Sequence, residues 1–232
     1  MPSPLTPGEQ RRLETLRLYH ILDTAAEKVF DDLTHLASQI CQTPISVVSL
    51  VDQDRQWFKS KQGLDVSETP REVAFCAHTI ESDELFVVED AQQDQRFANN
   101  PLVTADPNIR FYAGAPLAVE NGEKLGSLCV IDRVPRTLDD HQRQALIVLR
   151  DAVVTQLELR RVARQLEELQ GHVPICSWCH SVRSVDSEGT ESWEPLFDYV
   201  QRVNLVTHGI CPSCHEGGVE GFPTGKSSGA RT

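Results

Sequence analysis

Nothing in this chain of 232 residues approaches the run of about 18 apolar residues that a membrane-spanning helix needs, so no membrane segment is expected. The opening Met1-Pro-Ser-Pro-Leu-Thr-Pro7 lacks the basic stretch followed by an apolar one that marks a secretory leader. Basic residues are in deficit. The 22 Lys and Arg stand against 34 Asp and Glu, and a net charge of −12 argues against nucleic acid or an anionic membrane as a partner. Familiar catalytic signatures are missing too. No Gly-x-Ser-x-Gly elbow presents a serine nucleophile. The stretch Gly221-Phe-Pro-Thr-Gly-Lys-Ser227 is one residue short of a phosphate loop and has no strand before it. Without a leader, the seven cysteines read as reduced thiols or metal ligands rather than disulfides, and a cytoplasmic location is expected.

What is present is an ordinary globular composition, 40% hydrophobic and 24% charged, in a chain long enough for one full domain plus a smaller unit. The organising stretch runs from 44 to 132. Ile45-Ser-Val-Val-Ser-Leu-Val51 is rich in β-branched residues, and a polar break at Gln53-Asp-Arg55 separates it from Gln56-Trp-Phe-Lys-Ser60, which predicts two strands and a turn. Asn121-Gly122 between two further apolar runs predicts a closing hairpin, because both residue types tolerate the positive φ of a tight turn. A helix starts at Thr6-Pro-Gly-Glu9, where a Thr cap, a first-turn Pro and a Glu three residues on coincide. A second capping box, Thr24-Ala-Ala-Glu27, predicts another helix with Val29, Phe30, Leu33, Leu36, Ala37 and Ile40 against the sheet. The polar segment 63–71 reads as a loop over a pocket, and 90–108 as a long connection of the kind often tied to function. The fold class is therefore α+β, a central antiparallel sheet flanked by N- and C-terminal helices.

From Leu138 the pattern turns helical. Ala145, Val148, Ala152, Thr155, Leu159, Val162, Leu166 and Leu169 alternate in steps of three and four, which predicts a coiled-coil helix and a parallel homodimer. Beyond it, Cys176-Ser-Trp-Cys179 and Cys211-Pro-Ser-Cys214 each offer two thiolates from one tight turn. Four such ligands suit tetrahedral zinc, and Cys176, Cys179, Cys211 and Cys214 are the expected ligands of a structural zinc that staples a small tail module. A redox role for these pairs is the alternative reading. Within the main domain, Trp57, Phe75, Phe111 and Tyr112 are candidates to line an apolar pocket, with Arg110 available to an anionic ligand. Asp94 and Arg96 read as a loop-ordering ion pair.

The stretches Val48-Ser-Leu-Val-Asp-Gln-Asp-Arg-Gln-Trp-Phe-Lys59, Phe75-Cys-Ala-His-Thr-Ile80 and Ile109-Arg-Phe-Tyr-Ala-Gly-Ala-Pro-Leu117 resemble GAF domains of bacterial signalling proteins. The resemblance divides the chain into an extension at 1–13, the GAF domain at 14–161, a signalling helix at 138–170, the cysteine module at 174–216 and a disordered tail at 217–232. The module also resembles a short cysteine-rich segment found after bacterial sensory domains. What the resemblance implies is a small-molecule pocket between the sheet and the segment of Cys76 and His78, both of them candidate ligand contacts. It further implies signalling through the C-terminal helix to a protein partner. Bilin attachment is disfavoured, since the typical Cys-His dipeptide is absent. Free-methionine-sulfoxide reductases are the enzymatic precedent, but 109–113 has no cysteine where their catalytic thiol is expected. The chain is accordingly expected to be a sensor without catalytic activity. A thiol enzyme using Cys76 and a degenerate dimerisation scaffold are the alternatives.

Overall fold

Period-two alternation builds the main unit. A computed structural model describes residues 5–169, 181–185, 190–196 and 198–199. Its main sheet has six antiparallel strands: β1 (Ile45–Val51), β2 (Arg55–Gln62), β3 (Glu68–Pro70), β4 (Phe86–Val88), β5 (Phe111–Ala118) and β6 (Lys124–Asp132), in the order β3-β2-β1-β6-β5-β4. The centre is β1 against β6, with Val47 opposite Cys129 and Leu50 opposite Gly126. Both strands are buried on both faces, hence their nearly unbroken apolar sequences. The hairpin predicted at Asn121-Gly122 joins β5 to β6, with Gly122 at φ 82°.

Since successive side chains point to opposite faces, the sheet sorts its residues into two cores. Val48, Leu50, Trp57, Phe111, Leu128 and Val130 join α1 (Pro7–Leu18), α2 (Lys28–Cys41) and α5 (Asp140–Leu169) on one side. Val47, Phe58, Tyr112, Cys129 and Ile131 join the short helices α3 (Phe75–Thr79) and α4 (Pro101–Thr104) on the other.

Helix α1 begins where the sequence placed it, with Thr6 Oγ1 accepting from the Glu9 amide at 3.2 Å. The Glu9 carboxylate takes Arg12 at 2.7 Å and Arg71 at 2.5 Å, tying α1 to the loop after β3. Burial alone would raise its pKa, but the two guanidiniums outweigh it and hold the carboxyl at about 2. A depressed carboxylate contributes stability that is fully present above its unfolded pKa near 4.5 and is lost as pH falls through the folded value. Glu9→Gln is therefore expected to be less stable than wild type at pH 7. Urea titrations should show that gap closing between pH 4.5 and 2; a gap independent of pH would show the ion pairs contribute nothing.

One helix departs from expectation at its start, and another shows which of its faces the sheet covers. The box at Thr24 does not form. The hydroxyl of Thr24 donates to the Ile21 carbonyl, and the Glu27 carboxylate is taken by Lys59 at 2.6 Å and Arg160 at 2.9 Å, so α2 starts at Lys28 without a side-chain cap. On α2, Phe30 and Ala37 are buried and Leu33 half-buried, whereas Val29, Leu36 and Ile40 remain partly exposed. In α5 the residues that pack on the sheet are Leu146, Leu149, Val153 and Leu157. The stripe assigned to the coiled coil faces outward, with Val148, Leu159 and Val162 exposed. The helix carries two apolar stripes, and the heptad pattern picked out the outer one.

The chain divides after Leu169 into a second unit. Its described part is a hairpin of β7 (Ser181–Val185) and β8 (Glu191–Pro195), with Val182 buried and Trp193 exposed. Cys176, Cys179, Cys211 and Cys214 lie outside the described residues, as does the tail at 217–232. Among the described residues no cluster of His, Cys, Asp and Glu is arranged to hold a metal, and no helix is long and apolar enough to cross a membrane.

Candidate functional site

The face of the sheet under α3 and α4 encloses a cavity of about 60 Å³. Its floor is Ile45 and Val47 of β1, Phe58 of β2, Tyr112 of β5 and Ile131 of β6. Phe75 and Cys76 of α3, Leu102 of α4, and Leu64 and Val66 from the segment before β3 close the walls. The predicted loop over a pocket at 63–71 is thus in place, although its end pairs as β3. Phe75 is fixed by stacking on Phe97, with ring centroids 4.0 Å apart and planes within 10°.

Two polar side chains break this apolar lining. Gln56 on β2 stands opposite Thr69 on β3, and both face the cavity. Gln56 Oε1 and Thr69 Oγ1 are buried and find no hydrogen-bond partner among the described residues. Buried polar atoms without partners cost about 1–3 kcal/mol each, and native proteins seldom keep them without a use. Together they form one hydrogen-bonding end in an otherwise apolar site.

Beneath the cavity lies a cluster of hydroxyls and thiols. Tyr112 is fully buried, its hydroxyl 2.7 Å from Thr79 Oγ1 and donating to Cys76 Sγ at 3.2 Å. Ser127 Oγ lies 3.4 Å from the tyrosine oxygen and 3.4 Å from Ser49 Oγ. Cys76 Sγ is 3.9 Å from Cys129 Sγ. Gly114 makes room for this group, because a Cβ there would sit 2.3 Å from the Tyr112 hydroxyl. Burial by itself would raise the pKa of Cys76, but hydrogen bonds from Cys129, Ser127, Ser49 and Tyr112 bring it below the usual thiol value. Burial and the neighbouring Cys76 raise Tyr112, and the hydrogen bond with Cys76 together with burial raises Cys129.

Of the residues singled out in the sequence, Phe75, Cys76 and Tyr112 meet at the cavity. Trp57 and Phe111 do not, since alternation turns both into the core on the opposite face. His78 is half-exposed beside a separate surface depression formed with Arg71, Glu72 and Glu81. Arg110 donates to the Val103 and Ile109 carbonyls at 2.9 and 3.0 Å, so its guanidinium braces the chain between α4 and β5 rather than facing the cavity. Asp94 and Arg96 pair as expected, at 2.9 Å. Sequence reasoning missed Gln56, Thr69 and the partnership of Cys129 with Cys76. Nothing local in the sequence announced any of the three.

Comparison with known proteins adds the following. The family model described as GAF domain matches residues 25–158. A cyclic di-GMP phosphodiesterase of Pseudomonas aeruginosa is 46% identical over 133 residues, which are 57% of this chain and 23% of that protein. The chain thus spans under a quarter of the curated relative it matches. Among solved structures, the GAF domain from Acinetobacter phosphoenolpyruvate-protein phosphotransferase aligns over 70% of this chain and 97% of its own, at 15% identity and a TM-score of 0.48. The free methionine-R-sulfoxide reductase from Neisseria meningitidis does so over 70% and 97%, at 16% identity and a TM-score of 0.49. The expectation that this chain is not an enzyme does not stand. The relative that shares its main domain at 46% identity is an enzyme.

Proposed function

This chain belongs to the GAF family, and from that premise we propose that it is the ligand-reading part of a signalling enzyme. The cavity over Tyr112 is its binding site and cyclic di-GMP phosphodiesterase activity its output. The observation that carries the reading is the pairing of an apolar cavity with two unpartnered polar atoms, Gln56 Oε1 and Thr69 Oγ1. Such a site selects a ligand with an apolar body and one hydrogen-bonding end. At about 60 Å³ the cavity is small and takes a compact ligand. A larger ligand must displace Leu64 and Val66, whose segment follows Gly63 at φ 73°. The output rests on the phosphodiesterase relative. The outward stripe of α5 at Val148, Leu159 and Val162 is the face on which a second copy pairs in this reading.

The test is Thr69→Val, which keeps the shape and removes the orphan hydroxyl. Wild type should carry or bind a small molecule in native mass spectrometry against a panel of short-chain alcohols and phenols, and the variant should lose it. The same variant should gain about 1 kcal/mol in urea unfolding, because an unsatisfied buried group is gone. A variant that binds as well as wild type and unfolds more easily would refute the site.

A further inference from the structure

The two thiols beneath the cavity are not explained by ligand binding or by packing. Cys76 and Cys129 are 53 residues apart, both essentially fully buried, and their sulfurs lie 3.9 Å from each other. They differ in access. Cys76 lines the cavity, while Cys129 sits behind it on the central strand β6. Four hydroxyls, from Tyr112, Ser127, Ser49 and Thr79, gather around them in the middle of an apolar core. A core built only for packing has no need of such a group, whereas a thiolate formed there needs donors. Cys41 is the contrast: buried within α2, with its pKa raised to about 11 by burial and by Asp139.

We propose that Cys76 and Cys129 form a redox-active dithiol that closes to a disulfide on reaction with an apolar organic hydroperoxide admitted to the cavity. In the first step the Cys76 thiolate attacks the terminal peroxide oxygen. The S–O bond forms, the O–O bond breaks, and the alkoxide leaves as an alcohol with the proton that Cys76 gave up. In the second, Cys129 Sγ attacks the sulfenic sulfur. The S–S bond forms, the S–O bond breaks, and hydroxide departs as water with the Cys129 proton. Two thiols lose two electrons and two protons, and one hydroperoxide becomes one alcohol and one water. Access assigns the roles, Cys76 attacking and Cys129 resolving. Closing the bond draws α3 toward β6 and carries Phe75, a wall of the cavity, along with it. Oxidation therefore reshapes the cavity, and the reaction needs only that the cavity be free to admit the hydroperoxide.

Peptide mapping of the full chain tests this directly, because trypsin places Cys76 alone on 72–96 and Cys129 alone on 125–133. The protein is treated with tert-butyl hydroperoxide, quenched with N-ethylmaleimide in denaturant and digested. The expected result is a cross-linked pair of these two peptides, with loss of both alkylated forms and recovery of both after dithiothreitol. Cys41 on 29–55 should stay alkylated throughout. In Cys129→Ala the link should vanish and Cys76 should be trapped by dimedone as the sulfenic acid, which a merely structural cysteine would not yield. Full alkylation of both thiols after treatment would overturn the proposal. So would linkage of Cys76 to a tail cysteine, or oxidation of Cys76 only to the sulfinic and sulfonic acids.

Discussion

Gly126→Ala is expected to break the centre of the sheet. A Cβ at this position would lie 1.9 Å from the Ser49 carbonyl oxygen and 2.8 Å from Leu50 Cα, and both are backbone atoms of the paired strand. A side chain in the way can rotate, but a hydrogen-bonded partner strand cannot retreat without releasing its neighbours. Overpacking ordinarily costs about 1–3 kcal/mol, and this clash belongs at or above that upper end. That is a large share of the roughly 5–15 kcal/mol that holds a domain together. Gly122→Ala supplies the control. It sits at φ 82° with nothing within 4 Å of the added carbon, so its cost is confined to left-handed strain, about 1–2 kcal/mol. Urea unfolding of both variants decides the matter. If Gly122→Ala proves as damaging as Gly126→Ala, backbone contact between β1 and β6 is not what the glycine protects. The cavity should fail with the sheet, since Val47 and Ile131 form its floor on these strands.

Removing the charge on Glu27 should cost nearly as much. The Lys59 side chain is fully buried, and its ammonium donates to Glu27 Oε1 at 2.6 Å, the Ala25 carbonyl at 2.7 Å and Thr24 Oγ1 at 2.9 Å. Only the first of these acceptors carries a charge. Burial would raise the pKa of Glu27, but Lys59 and Arg160 outweigh it and keep the carboxyl ionised below its usual range. Glu27→Gln leaves the ammonium bonded but uncompensated. The expected loss is about 3 kcal/mol, the low end for stripping one partner from a buried pair, because Gln still offers an acceptor. Adding Lys59→Met should restore about 2 kcal/mol, since it removes the buried charge itself. Denaturant titration of the two variants checks both figures. A double variant less stable than Glu27→Gln alone would show that Lys59 matters for its hydrogen bonds and not for its charge.

These positions show where sequence reasoning succeeds and where it stops. Thr6, Pro7 and Glu9 are neighbours in the chain, as are Asn121 and Gly122, and their local chemistry placed the start of α1 and the β5–β6 turn. Parity was harder. Trp57 and Phe58 are adjacent in a strand buried on both faces, so one must point to each side, and nothing in the sequence says which side holds the cavity. The same ambiguity misplaced Phe111 beside Tyr112. In α5 regular spacing picked out the stripe that the sheet leaves uncovered, and the core-facing one at Leu146, Leu149, Val153 and Leu157 went unread. Arg110 looked free because its acceptors are backbone carbonyls, which leave no trace in sequence. Thr24 and Glu27 had the right spacing for a cap, yet a lysine 32 residues away from Glu27 claims its carboxylate. The Cys76–Cys129 approach is set wholly by the packing of α3 on the distant strand β6. Contacts made within one turn were legible, and contacts made across the sheet were not.

The sorting of side chains into two cores has a bearing on how such a chain can diverge. Substitutions under α3 and α4 alter the chamber and its thiols, while those under α1, α2 and α5 alter the scaffold, and the two sets share no packing partners. Changes at separated sites without shared partners combine nearly independently. A lineage can therefore rewrite what is recognised without renegotiating what holds the protein up. The strands themselves are the common material. A substitution in their backbone contacts, as at Gly126, is one that both sides must accept at once.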